Sequence, residues 1–323
     1  MALATWFMFG TFVDAWAHAN LAVLESFFTP WHGLMYSGFL ATGAWIAWQV
    51  RRLALEGRVG RDAVPVGYGW GLIGLGVFAL GGLGDMLWHT VFGIEQGIAA
   101  AVSPTHQILL AGMLLFLSSP FRAAWTADPP GHRPSYREFL PALLSLAFTA
   151  TNSALVVVFL TTFLTGAPAG GFGEGIGSIL ITTVLLVAPV LLVARRWQPP
   201  FGTVTTVWTI MAAFLGAISE WSNPEQLGAV ALAGLAVDLL LRRAPLRVTG
   251  FFAPLLLWGA WFTATAATQE VTWPVELWSG SIVWAGMLGL ALSLLMAATP
   301  SAQPVADAGA GSPEPEPLVD ARP

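Results

Sequence analysis

"DAWAHANLAVLESFFTPWH", residues 14–32, reads as the end of one membrane helix, a short turn and the start of the next. Asp14 and His18 are four residues apart, so on a helix they stack on one face. Glu25 shares that face if the helix runs so far. Thr29 suits an N-cap and Pro30 the first helical position, where a missing N–H costs nothing. His32 then falls in the first turn of the second helix, and the hairpin folds it back beside His18. A second stretch, "DMLWHTVFGIEQGIAAAVSPTH", residues 85–106, offers Asp85, His89, Glu95 and His106 in the same order. Asp14 to Asp85 and His18 to His89 are each 71 residues. His32 to His106 is 74, so the second tip holds three more residues than the first. "SPTH" matches "TPWH", with Ser103 as the cap and Pro104 at the first helical position. Four of the five histidines fall in this pattern, which makes it hard to ascribe to chance.

The rest of the chain sets these hairpins in a bilayer. Of 323 residues, 56% are hydrophobic and only 10% charged, against about 25% charged in a soluble domain. A bilayer-crossing helix needs roughly 20 apolar residues. Such runs predict ten spans at about 4–26, 30–50, 67–91, 103–120, 139–165, 176–194, 203–220, 226–242, 249–267 and 280–298. Period-two alternation is absent, which argues against a membrane barrel. The fold class is therefore all-α: a polytopic integral membrane helical bundle of five hairpins. Arg51, Arg52, Arg58, Arg61, Arg122, Arg133, Arg137, Arg195, Arg196, Arg242, Arg243 and Arg247 all lie in alternate connections, and Arg322 falls on the same side. The positive-inside rule then makes both termini cytoplasmic, in the cell's inner (plasma) membrane, with the hairpin tips outside. The first segment lacks a basic leader and reads as a mature helix rather than a cleaved signal. Three regions follow: residues 1–125 with the duplicated hairpins, 126–298 with six further spans, and a disordered cytoplasmic tail at 299–323.

The chemistry lies in the repeat. Ionisable groups inside a membrane are expensive and mark sites or pathways by default. Imidazole with carboxylate suits copper, zinc, iron or nickel. The chain has no Cys, which excludes disulfides, iron–sulfur clusters and thiolate zinc. Met35 and Met86 are single residues and make no Met-rich copper(I) tract. A lone buried His is more often a hydrogen-bonded core residue than a ligand; the doubled set is what points to metal. Asp14, His18, His32, Asp85, His89 and His106 are the candidate ligands, at a common depth near the outer face. Glu25 and Glu95 sit nearer the tips, at unequal offsets, and are candidates to relay protons. Glu220, Glu225, Glu270 and Glu276 read as solvated tip acids. Asn152 is expected to hydrogen-bond across helices, and Asp238 to pair with Arg242 and Arg243. The small residues of "LIGLGVFALGGLG", 72–84, suit close helix packing.

These residues resemble a known family. "DAWAH…FTPWH" is similar to the metal-binding helices of the C subunit of copper membrane monooxygenases, the particulate methane and ammonia oxidisers. The likeness covers residues 10–120. It implies one copper site on Asp14, His18 and His32 and an adjacent one on Asp85, His89 and His106, with oxygen activation at one of them. The chain departs from the family at position 85, which is Asp where the methane enzymes have Asn, and in its longer second His–His spacing. The six remaining helices have no counterpart, and the family's cupredoxin-like subunit is not encoded here. Several readings stay open. One is a copper-dependent oxidase or monooxygenase acting on a small apolar substrate reached from the bilayer. Another is a copper transport, delivery or assembly protein without turnover. Intramembrane zinc hydrolysis, haem ligation and a metal-free proton path complete the set. The lipid bilayer is the expected partner, with partner subunits or a second copy of the chain left open and no nucleic acid.

Overall fold

The computed structural model describes residues 1–21, 27–95, 98–155 and 171–296. Glu25, residues 156–165 of the fifth expected span and the tail at 299–323 lie outside them. The described residues are all helical, with one isolated bridge between His132 and Trp197 in place of any sheet. The helices are α1 (Ala2–Asn20), α2 (Pro30–Leu55), α3 (Gly69–Phe92), α4 (Ile98–Val102), α5 (Pro104–Leu117) and α6 (Ser119–Ala127). They continue as α7 (Tyr136–Leu155), α8 (Phe172–Arg196), α9 (Thr203–Ile218), α10 (Pro224–Leu241), α11 (Leu246–Thr268) and α12 (Val275–Leu295), with a 3-10 turn at Gly60–Ala63.

Six helical stretches are long and apolar enough to cross a membrane: α3, α5 continued through α6, α8, α10, α11 and α12. The chain is thus a multi-pass, membrane-type helical bundle. α9 is apolar but only 16 residues long. α1, with Asp14 and His18, and α2, with its glycines, tryptophans and Gln49, are not among them.

Local chemistry sets the helix ends that matter. α1 stops at Asn20, and Leu21 is extended at φ −90° and ψ 127°. The helical register that would have placed Glu25 on the face of Asp14 and His18 therefore ends before reaching it. At α2, Thr29 Oγ1 accepts the His32 N–H at 3.2 Å with Pro30 at the first position, as the motif predicts. Ser103 occupies the same position before α5, yet its hydroxyl lies 2.9 Å from His106 Nδ1 instead of capping the helix. α4 takes up part of the extra length in the second tip.

The duplication reaches into the packing. Gly10 and Gly38 lie at the α1–α2 contact; Gly81 and Gly112, at the same offsets of 71 and 74, lie at the α3–α5 contact. A Cβ on Gly38 would sit 2.6 Å from Phe7 Cα, and one on Gly112 would sit 2.8 Å from Phe78 Cα. Backbones approach this closely only where one side has no side chain, as in small-residue membrane interfaces. Phe7 and Phe78, also 71 apart, meet edge to face with ring centroids at 5.4 Å. The two hairpins thus repeat the same packing residues and meet each other through these rings. Beyond them, α1 packs on α9 and α5 on α7, and α8 to α12 complete the bundle.

Asp238 differs from its sequence reading. Instead of pairing with Arg242 and Arg243, it reaches from α10 to the start of α9. There it accepts N–H bonds from Val204 and Thr205 at 3.0 Å each and the Thr205 hydroxyl at 2.7 Å. The first N–H groups of a helix have no partner within it, and a buried carboxylate satisfies them better than an exposed arginine would hold the acid. Asn152 does bond across helices, but to the Met8 sulfur on α1, at 2.9 Å.

Two stability predictions follow from this packing. Gly38→Ala and Gly112→Ala should each lower the unfolding free energy by about 1–3 kcal/mol through overpacking. Gly33→Ala, with nothing within 4 Å, should not; thermal unfolding in detergent compares the three. Asp238→Ala leaves the buried Val204 N–H and the partly buried Thr205 N–H unpaired and should cost about 1–3 kcal/mol by the same assay.

Candidate metal centre

Contacts between the two hairpins bring both halves of the repeat to one place. His18 and His89 sit in the last turns of α1 and α3, and His32 and His106 in the first turns of α2 and α5. Five of their six ring pairs have centroids between 5.6 and 6.1 Å apart, including pairs from different hairpins. All six candidate ligands from the sequence therefore meet in a single cluster. Asp14 Oδ1 lies 3.4 Å from His32 Nε2, and its Oδ2 lies 3.9 Å from His18 Nε2. Asp85 repeats the pattern, with Oδ1 3.4 Å from His106 Nε2 and Oδ2 3.3 Å from His89 Nε2. Asp14, His18, His32, Asp85 and His89 are buried, and His106 is partly so.

The backs of the rings explain their orientation. Each Nδ1 faces a main-chain carbonyl: His18 that of Glu95 at 2.9 Å, His32 that of Phe27 at 2.5 Å, His89 that of Gly93 at 3.2 Å and His106 that of Ala100 at 2.5 Å. A carbonyl only accepts, so each Nδ1 carries the proton and donates it. Each Nε2 is turned into the cluster, and in the neutral ring it offers a lone pair there. Histidine ligands in metal sites are held in this way, by a bond from the second ring nitrogen.

The fit to a metal is tested by what is left unpaired. His18 Nε2, His89 Nε2 and Asp85 Oδ2 are buried and make no hydrogen bond. Lone pairs and carboxylates turned toward one another repel unless a proton or a metal cation stands among them. Two groups are arranged closely enough to hold a metal. The ring nitrogens of His18, His32 and His89 lie within 4.8 Å of one another, as do the ligand atoms of Asp85, His89 and His106.

Glu95 stands behind the ligands rather than among them. Its Oε2 is 3.1 Å from His89 Nδ1, its other oxygen accepts the Trp88 indole N–H, and its carbonyl holds His18. Its side chain is 17% exposed, so it links a buried ring to the tip surface. Of the other tip acids, Glu220 accepts the Trp16 indole N–H and Glu225 the Thr268 hydroxyl.

Sequence reading missed two contributors. Thr105 donates its hydroxyl to Asp85 Oδ1 at 2.8 Å; the matching position in the first hairpin is Trp31, so the repeat gave no hint. The four carbonyls carry no residue identity and leave no mark in a sequence. A cavity of about 100 Å³ adjoins the cluster. Asp14, His18, His32, Asp85 and His106 form one wall, and Met35, Leu109, Leu110, Met113, Leu155 and Ile218 the other. It is smaller than the roughly 150 Å³ apolar cavity that accommodates benzene.

Comparison of the chain with protein-family models, with curated proteins and with solved structures finds no significant match.

Removing the Thr105 hydroxyl should loosen Asp85 without touching a ligand. Thr105→Val should weaken metal affinity by about 10–100-fold, the usual cost of losing an outer-shell partner. A competition titration against a chelator would measure it.

Proposed function

We propose that this protein is an integral membrane copper protein that acts as an oxidase or monooxygenase on a small apolar substrate. The observation that carries the reading is the convergence of four Nε2 lone pairs and two carboxylates on one buried point, each ring held by a main-chain carbonyl. The likeness to the C subunit of copper membrane monooxygenases supports copper over zinc or iron. Imidazole-rich sites without thiolate suit copper well.

In this reading all ten long helices lie in the bilayer, with both termini cytoplasmic and the cluster near the outer face. The segregation of arginines into alternate connections supports that orientation. Asp14, His18, His32, Asp85, His89 and His106 would hold the metal. Copper bound there would supply one-electron redox chemistry toward dioxygen. The two aspartates offset the added positive charge. The apolar wall of the cavity excludes water and admits a small apolar molecule from the bilayer. Glu95 carries a proton between His89 Nδ1 and the outer surface, over the 3.1 Å contact already described. Copper transfer without turnover would use the same ligands; the largely apolar cavity beside them, with room for a small molecule, favours turnover.

The test is metal content per chain, with EPR, on protein purified in mild detergent beside His18→Ala and His89→Ala. Copper present in the wild type and reduced in both variants is the expected result, with oxygen-dependent turnover as the next assay. Zinc in its place would shift the function to hydrolysis. Absence of metal from wild-type protein, with both variants folded and unaltered, would overturn the reading.

A further inference from the structure

We infer that the cluster is one dinuclear centre in which His89 is a shared ligand that changes partner with occupancy. This rests on the metal-binding reading above and goes beyond the two independent sites that the sequence repeat suggests. Independent sites would each draw on one hairpin: Asp14, His18 and His32, or Asp85, His89 and His106. The second of these sets is close-knit, its ligand atoms lying within 4.8 Å of one another. The other close-knit set crosses the hairpin boundary and unites His18, His32 and His89. His89 thus belongs to both.

Its chemistry prevents it from serving both at once. His89 Nδ1 is engaged with the Gly93 carbonyl and the Glu95 carboxylate, so only Nε2 is available, with one lone pair. Asp14 resolves the conflict. Its two oxygens face His32 Nε2 at 3.4 Å and His18 Nε2 at 3.9 Å, which positions it to complete that ion's ligands when His89 is drawn away. Asp85 already faces His89 and His106 through separate oxygens, at 3.3 and 3.4 Å. When both positions are filled, each ion has two imidazoles and one carboxylate. When the second position is disabled, His89 returns to His18 and His32, and the remaining ion has three imidazoles.

The number of imidazoles per copper tests this directly. The full chain in detergent would be stripped, reloaded with Cu(II) and studied by metal analysis and pulsed EPR, beside His106→Ala and Asp85→Asn. Wild-type protein should bind two coppers with mutually broadened signals and two imidazoles each. Both variants should bind one copper coordinated by three imidazoles, a 1.5-fold rise in imidazoles per ion. Asp85→Asn keeps the shape of its side chain and serves if His106→Ala does not fold. One copper with two imidazoles in the variants, or two non-interacting coppers in the wild type, would overturn the shared-ligand centre while leaving copper binding intact. A wild-type chain that takes up no copper would overturn the underlying reading, and this inference with it.

Discussion

The bond from each histidine Nδ1–H to a main-chain carbonyl is the constraint on which the centre depends. An imidazole on a helix can turn about two bonds, and only one of its orientations aims Nε2 at the neighbouring hairpin. The carbonyls of Phe27, Gly93, Glu95 and Ala100 select that orientation four times. All four belong to residues in the hairpin tips: Phe27, Gly93 and Glu95 lie outside any helix, and Ala100 lies in the short α4 just before Pro104, which has no N–H to take up its carbonyl. The breaks in α1 and α3 are therefore part of the site: a helix that ran on unbroken would use up these acceptors.

The remaining helices act on this arrangement from outside. α7 and α9 supply Leu155 and Ile218 to the lining of the cavity, so the second region of the chain contributes to a chamber that the first begins. α9 is itself held at its far end by Asp238 from α10. The Asn20 amide of α1 donates to the Ile218 carbonyl at 2.8 Å, which fixes the end of α1 just beyond His18. Glu220 holds Trp16 nearby.

How much of this could be read from residues alone depended on whether the cause was local. Asp14 and His18 share a helix face because they are four apart, and Thr29 and Pro30 start a helix wherever they stand; both were legible. The offset of 71 and 74 residues was visible in the histidines and, unnoticed, in Gly10, Gly81, Gly38 and Gly112 as well. What stayed hidden was tertiary. No spacing says which faces of two hairpins meet, so the residues leave open two separate sites or one centre between the hairpins, and the structure brings all six into one cluster. Asp238 beside Arg242 and Arg243 invited a local pairing, whereas its partners are more than thirty residues back along the chain. Glu25 shares the face of Asp14 and His18 only on a continuous helix; α1 ends at Asn20, and Glu25 itself lies outside the described residues.

The bond from His18 to the Glu95 carbonyl has a consequence for biogenesis. It joins the first long helix of the chain to the tip that follows the third. When α1 and α2 leave the ribosome, the acceptor for His18 has not yet been synthesised, and its ring has nothing to hold it. The first hairpin therefore remains an unfinished half, with Asp14 and the Phe27 carbonyl to hold His32 but no carbonyl for His18, until α3 and the tip after it arrive. Completion of the centre is then timed by synthesis of the second hairpin.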